Sequence, residues 1–349
     1  MSAPAAVPFP VTAPYRVRAD LHRLGDARAV PPSLDPGPAT VFRADARWPS
    51  LLAARLDALE RHPGDVRAVD EAAALERLHA AGLTLARRAA QEQPQRVRCD
   101  DEAVVLPLLG LRVASDGTLE GCEPAGEDAA EPALRHRARA LLAARPPALR
   151  RLEALALALQ EDVALLGPRA AEGRPAPGVA EVGAADEGGT GRVAWLQVTF
   201  PSGWDPGAMA GASFERLHAP VPGAGVLRRA APALMQAMLT KGPFVRYVWG
   251  VAPDAEFARH PRRARPMPSD LPLEAAYLRV ERQTTLALPE QSLALFATGI
   301  HVTSLPCALS TPERRAAFAA AVASLDVAAR RYKGIPWDDE AVRRWCSDA

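Results

Sequence analysis

The 349-residue sequence contains no asparagine, and lysine occurs only at positions 241 and 333, so nearly all of its 42 basic residues are arginines. With arginine so common, no single one carries weight by its type alone. Cysteine is scarce: Cys99, Cys122, Cys307 and Cys346 lie far apart and form no C-x-x-C pair. A zinc ribbon, a thioredoxin-type centre and a disulfide framework are therefore poor descriptions of the chain. Neither sign of charge is in excess, since 42 Lys and Arg stand against 41 Asp and Glu for a net +1. That balance argues against a dedicated nucleic-acid binder, which needs a basic face. No apolar run approaches the roughly 18 residues of a membrane span, and the first residues lack a basic stretch followed by an apolar one. The expectation is a cytoplasmic protein with no membrane contact and no nucleic-acid partner.

Local catalytic motifs are missing too. No G-x-G-x-x-G follows a strand, and neither G-x-x-x-x-G-K-[ST] nor G-x-S-x-G occurs, so phosphate loops and nucleophile elbows are unsupported. The histidines are His22, His62, His79, His136, His218, His260 and His301, and no two stand three or four apart. A metal site of the H-E-x-x-H kind is thereby excluded in local sequence.

What is present is a globular composition, 48% hydrophobic and 24% charged, long enough to bury a sizeable core. Residues 1–45 are proline-rich and read as an extended arm. Helical spacing of Trp48, Leu51, Leu52, Leu56 and Leu59 opens a helical region over 46–90, and a second helical stretch is expected over 133–166, broken at Pro146 and Pro147. Residues 167–192 read as a Gly/Pro-rich loop. Strands are expected at 193–200, 244–251, 276–288 and 293–305, the last two joined as a hairpin through Pro289–Gln291. A final helix is expected over 311–331, with proline at its first position. This order predicts an α+β fold, with residues 1–150 as an arm and helical region packed on a core over 151–349, the whole forming one compact unit.

The most informative segment is FPSGWDPGAMAGASFERLHAPVPG at 200–223. A strand enters a Pro-Ser-Gly-Trp-Asp-Pro turn, a short helical turn follows, and His218 stands directly before a stretch that prolines deny to helix. By spacing alone, a helix-ending histidine held by a nearby carbonyl is the commoner case, and a ligand is the rarer one. Further along, Glu281, Arg282, Gln283 and Thr284 form a polar run inside an apolar strand, so they face water or line a site. Arg279 and Glu281 share one strand face, and Arg282 takes the other.

The 200–223 segment resembles the histidine motif of the haem-dependent oxidative N-demethylase family. Gln160-Glu161-Asp162 is similar to that family's upstream patch, FVRYVW at 244–249 to its Arg-x-x-Trp strand, LRVERQT at 278–284 to its most specific signature, and Tyr332-Lys333-Gly334 to its closing motif. The resemblance implies a PAS-like antiparallel sheet flanked by helices and holding haem b. It places His218 on the iron as metal ligand, with His301 as the fallback. Arg246, Arg279, Trp249 and Lys333 fall to the cofactor site, the guanidinium groups being natural partners of haem propionates. Glu281 and Arg282 take the catalytic roles, Glu281 nearest a cationic amine. Trp195, Trp204 and Trp249 are candidates for a pocket wall or cation cage, although core packing is their commoner role.

The implied activity is haem-dependent monooxygenation, in which a small amine is oxidatively N-demethylated and formaldehyde is released. The chain has no nucleotide fingerprint and no iron–sulfur cysteine spacing. Electrons would therefore come from elsewhere, and the resemblance implies a separate reductase carrying flavin, an iron–sulfur cluster and NAD(P)H. This chain departs from the family at three places: Ala287 replaces a turn arginine, Gly299-Ile300-His301 stands at an Arg-x-Tyr position, and Val248 replaces an asparagine. Each change removes a polar group, so a more apolar pocket is expected. Two other readings fit the same residues: a non-catalytic haem-binding sensor of PAS-like form, or a scaffold that has lost haem.

Overall fold

The computed structural model describes residues 7–18, 20–126, 129–168 and 190–348. Most of the expected loop at 167–192 lies outside the described residues. After the arm come β1 (His22–Arg23), α1 (Trp48–Arg61), α2 (Pro63–Val66), β2 (Arg67–Val69) and α3 (Leu75–Glu92). Next are β3 (Arg98–Cys99), β4 (Ala103–Leu106), β5 (Leu111–Ala114), β6 (Leu119–Gly121), α4 (Pro132–Ala143) and α5 (Pro147–Ala158). The second half holds β7 (Asp162–Gly167), β8 (Arg192–Gln197), α6 (Phe214–His218), α7 (Gly225–Thr240), β9 (Phe244–Ala252), β10 (Tyr277–Leu288) and β11 (Leu293–Ser304). Four helices close the chain: α8 (Leu305–Ala308), α9 (Pro312–Ala323), α10 (Val327–Lys333) and α11 (Asp339–Asp348).

The fold is α+β, with two antiparallel sheets and no closed barrel. The larger sheet has the order β1-β9-β10-β11-β7-β8-β2, and the smaller has the order β3-β4-β5-β6. The expected hairpin is its longest ladder, pairing Tyr277 with Ser304 through to Leu288 with Leu293 across a short turn at Pro289–Gln291. Two expectations fail. The helical stretch to residue 166 ends at Ala158, and Asp162–Gly167 is a strand paired on both sides, to β11 and to β8. A central strand buried on both faces has no alternation to read, and a short apolar run such as VALLG fits helix or strand equally. The expected helix over 311–331 is two helices. Thr311 caps α9 by accepting from Arg314 N–H, and Asp326 caps α10 by accepting from Ala329 N–H, so a second N-terminus is built inside the run.

Side-chain alternation divides the larger sheet into two different faces. One face carries Leu165, Leu295 and Ala297 against α1, α3 and α5 at one end, and Trp249, Leu278 and Val280 against α9 and α11 at the other. Between these apolar caps runs a buried polar strip, crossed by residues 35–45. The largest apolar cluster joins residues before and after position 150, which falls inside α5. On the opposite face, Leu166, Leu196 and Val198 meet Phe214, Leu227 and Met235 from α6 and α7. The rest of that face is open and forms the floor of a cavity.

Candidate functional site

The cavity measures about 510 Å³, within the roughly 300–1,000 Å³ range of small-molecule and cofactor sites. Its floor is the sheet face carrying Arg246 on β9, Arg279, Glu281 and Gln283 on β10, Phe296 and Thr298 on β11, and Ala164 and Leu166 on β7. Phe214, Leu217, His218 and Leu227 form one wall, and Tyr332 and Lys333 stand at another. Most of the wall is apolar, with charged groups mainly on the N-terminal arm, β9, β10 and α10.

His218 is the last residue of α6. Ser213 starts this short helix by accepting a hydrogen bond from Arg216 N–H at 3.1 Å. Its end is set by the following prolines. The imidazole lies over the Phe214 ring, centroids 4.1 Å apart, and its Nδ1 is 2.7 Å from the Phe214 carbonyl oxygen. A carbonyl only accepts, so Nδ1 is the protonated nitrogen and Nε2 is left with its lone pair. Among the described residues Nε2 has no protein partner. Burial, with the Arg246 charge as a smaller cause, lowers the pKa of His218 and favours the neutral ring. A neutral imidazole held by a carbonyl at one nitrogen and open at the other is the form that binds iron.

Seven cationic side chains line the cavity, Arg16, Arg18, Arg246, Arg259, Arg279, Arg331 and Lys333, against the carboxylates Asp20, Asp162 and Glu281. The lining therefore favours a ligand with negative charge. Their availability differs. Arg279 is committed to protein, donating to Ser202 Oγ at 2.8 Å, the Phe200 carbonyl at 2.9 Å and the Glu256 carbonyl at 3.3 Å. Burial nevertheless lowers its pKa to about 10. Arg246 makes no hydrogen bond or ion pair among the described residues, and burial lowers its pKa although Glu281 and Asp20 oppose the shift. A guanidinium that is mostly buried and unpaired on a cavity floor is unstable unless a ligand or water meets it. The Glu281 carboxylate is fixed by Gln283, whose Nε2 donates to it at 2.6 Å.

Lys333 is 3% exposed. Its Nζ donates to the Trp249 carbonyl at 2.5 Å and lies 4.7, 5.0 and 5.9 Å from the ring centres of Tyr15, Trp249 and Tyr332. Burial brings its pKa down to about 8. The aromatic cage is thus filled by the protein's own ammonium. Gly334 makes this possible: it ends α10 at φ +70°, and a Cβ there would collide with the Val251 carbonyl oxygen. Of the candidate tryptophans, Trp204 lines the cavity, Trp195 is in the apolar core, and Trp249 is a buried core residue whose indole also walls the cage.

The structure brings His218, Arg246, Arg279, Trp249, Glu281 and Lys333 to one cavity. Arg282 is elsewhere. It points to the opposite face, as alternation requires, and donates to Thr40 O at 2.6 Å, Val41 O at 3.3 Å and Asp35 at 3.2 Å. His301 is on that opposite face as well, and burial lowers its pKa to about 4. The Gln160-Glu161-Asp162 patch pins chain segments. Gln160 accepts from Asp45 N–H, Glu161 from Arg43 N–H, and Asp162 from Thr199 N–H and Oγ1–H and Phe200 N–H. Sequence reasoning gave no role to Tyr15, Arg16, Arg18 or Arg331, and left Gln283 in a polar run that faces water or lines a site. Gln283 carried a signal, since it alternates with Arg279 and Glu281. Tyr15 carried none.

One cluster outside the cavity, Asp65, Asp205 and His260, has metal-like spacing. Arg262 and Arg263 pair with its carboxylates, and His260 Nδ1 accepts from Arg262 N–H. That bond leaves the proton on Nε2 in the neutral ring, which is unsuited to a metal. Among the described residues, no helix is long and apolar enough to cross a membrane. A family model described as haem-dependent oxidative N-demethylase, alpha subunit-like, matches residues 131–343. No curated protein matches the chain.

Proposed function

The chain belongs to the haem-dependent oxidative N-demethylase, alpha subunit-like family, and we propose that it is the haem-binding subunit of an oxygenase that removes a methyl group from an amine as formaldehyde. The observation that carries this reading is His218, with Nδ1 fixed on the Phe214 carbonyl and Nε2 free at the wall of a large cavity. In this reading Nε2 holds the iron of haem b. Arg246, the unpaired cation of the floor, meets a propionate, and Arg279 keeps the 200–202 turn in place beside it. The apolar wall from β7, β8 and α7 fits a porphyrin face. Support for a PAS-like core comes from the strands that start at β7, which run in the order second, first, fifth, fourth, third, with α6 and α7 inserted on the cavity side.

When bound, haem would supply the activation of dioxygen, and the protein supplies ligand, orientation and electrostatics. Overall, each methyl group removed consumes one dioxygen, two electrons and two protons, and yields formaldehyde and water. Glu281, aimed by Gln283, is the counter-ion for the ammonium of the amine. Arg282 acts as a positioning residue, because it fastens residues 35–41 behind β10 and so fixes the strand that presents Glu281. Electrons come from a separate reductase carrying flavin, an iron–sulfur cluster and NAD(P)H. The cytoplasm would be the setting.

The test is amine-dependent formaldehyde release by haem-loaded protein, with NADPH, a ferredoxin reductase and a ferredoxin as electron source, over a panel of N-methyl amines. Formaldehyde in proportion to added amine supports the reading. Dioxygen consumption with no formaldehyde from any amine would contradict it and leave haem binding without demethylation.

A further inference from the structure

One wall of the cavity comes from residues that the family match does not include. Thr12, Tyr15, Arg16, Val17 and Arg18 line it, and all belong to the arm before β1. This arm has few backbone hydrogen bonds. Between Pro10 and Leu21, the one backbone hydrogen bond among the described residues is from Tyr15 N–H to Ser324 Oγ, at 2.8 Å. Ser324 in turn donates to the Ala321 carbonyl at 2.6 Å, at the end of α9. The Tyr15 ring stands 4.7 Å from Lys333 Nζ and meets Trp249 edge-on at 6.2 Å. Val11, buried in the apolar cluster with Trp249 and Phe318, holds the start of the arm, and beyond it the backbone and side chain of Tyr15 fasten the arm to α9, α10 and β9.

Arg16 and Arg18, two of the lining cations, follow this anchor, and Arg331 precedes the cage residues on α10. All three are exposed, and none of their guanidinium groups makes a hydrogen bond or an ion pair among the described residues. Asp20 is the one exposed carboxylate in the lining. Unpaired guanidinium groups at the edge of a cavity are suited to carboxylates, which they can grip with two parallel hydrogen bonds.

We infer that the N-terminal arm is part of the ligand site: Tyr15 latches it over the cavity, and Arg16, Arg18 and Arg331 form a rim that binds a carboxylate of the ligand. The inference rests on the haem reading above. The carboxylate belongs either to the propionate edge of haem or to a substrate of the N-methyl amino acid class. In both cases the arm supplies binding residues that the matched family segment lacks, and opening the latch opens the site.

The latch is read by limited trypsin digestion, since Arg16 and Arg18 are exposed cleavage points within it. Tyr15→Ala should be cut after these residues at least tenfold faster than wild type. Tyr15→Phe keeps the ring and should behave as wild type. The rim is read with the double variant Arg16→Gln/Arg18→Gln, whose exposed positions spare the fold. Transfer of haem to apomyoglobin gives its rate of loss, measured with haem and with haem dimethyl ester. KM is measured for dimethylamine and for N,N-dimethylglycine. If the rim holds propionates, the double variant loses haem about tenfold faster and the ester at the wild-type rate. If it holds a substrate carboxylate, haem loss is unchanged and KM rises only for dimethylglycine. Cleavage of Tyr15→Ala at the wild-type rate overturns the latch. Unchanged haem loss together with unchanged KM values overturns the rim. A wild-type protein that takes up no haem overturns the function proposed above and this inference with it.

Discussion

Glu161 is a carboxyl group 3% exposed, and its Oε2 has no hydrogen-bond partner, while Oε1 accepts from Arg43 N–H at 2.7 Å. Burial raises its pKa from 4.5 to about 7, against the opposing Arg43 N–H bond and the charges of Arg282 and Arg55. The folded protein therefore holds a proton that the unfolded chain releases between those two values, so this group makes stability fall as pH rises from about 4.5 to about 7. At about 1.4 kcal/mol per pH unit, the loss reaches roughly 3 kcal/mol above neutrality. His301 does the reverse. Burial lowers its pKa from 6.5 to about 4, so stability is lost as pH falls through that window, again by roughly 3 kcal/mol. The two slopes oppose each other between about pH 4.5 and 6.5 and largely cancel there. Replacing Glu161 by Gln should unmask the histidine: relative to wild type, the variant gains stability by roughly 3 kcal/mol between pH 4.5 and 7. His301→Gln should unmask the carboxyl, with stability falling as pH rises. The double variant should again run parallel to wild type across most of the window. Urea unfolding at half-unit pH intervals gives the curves. A Glu161→Gln curve parallel to wild type from pH 4.5 to 8 would refute the reasoning, because the carboxyl would then have the same proton affinity folded and unfolded.

Arg282→Met should destabilise the protein by about 1–3 kcal/mol in the same urea assay, because it removes a donor from the buried Thr40 and Val41 carbonyls and leaves Asp35 with Arg43 as its cationic partner. Arg282→Lys should recover only part of that loss, since one ammonium cannot reach Asp35, Thr40 and Val41 together. Gly334→Ala should cost about 1–3 kcal/mol from its positive φ alone, and more from the collision with the Val251 carbonyl. It should also expose Lys333 to acylating reagents that leave the wild-type side chain untouched, as mass spectrometry would show. Glu281→Gln should raise KM for a cationic amine by roughly tenfold, equivalent to about 1.4 kcal/mol of lost ion pairing, with the haem spectrum unchanged. An equal KM for both proteins would remove Glu281 from amine recognition.

Legibility from sequence followed the physics of each element. The β10–β11 hairpin was readable because its two faces differ, polar toward the cavity and mixed toward the core, which leaves alternation in the chain. β7 was not readable: both its faces are covered, so VALLG carries no period. The small sheet over residues 98–121 is built from strands of two to four residues, too short for any pattern. The same alternation that placed Arg279 and Glu281 together set Arg282 apart, so the strand reading already divided the polar run correctly. Its assignment to catalysis came from the resemblance, and the geometry gives it the segment at 35–41 to hold instead. His218 was visible as a histidine before a proline-locked turn, but the Phe214 carbonyl that selects its tautomer is a fact of the helical turn. Tyr15 reaches its cage across more than three hundred residues of sequence. No local pattern announces such a contact.

The central claim is that His218 holds haem iron, and absorption spectroscopy tests it most directly. Protein produced with haem supplied should show a Soret band in the wild type, and the band should be lost or shifted in His218→Ala. Added imidazole should restore a wild-type-like band in the variant by filling the vacated coordination position. A Soret band identical in wild type and variant would contradict His218 as the ligand, and no band in the wild type would contradict the haem site itself.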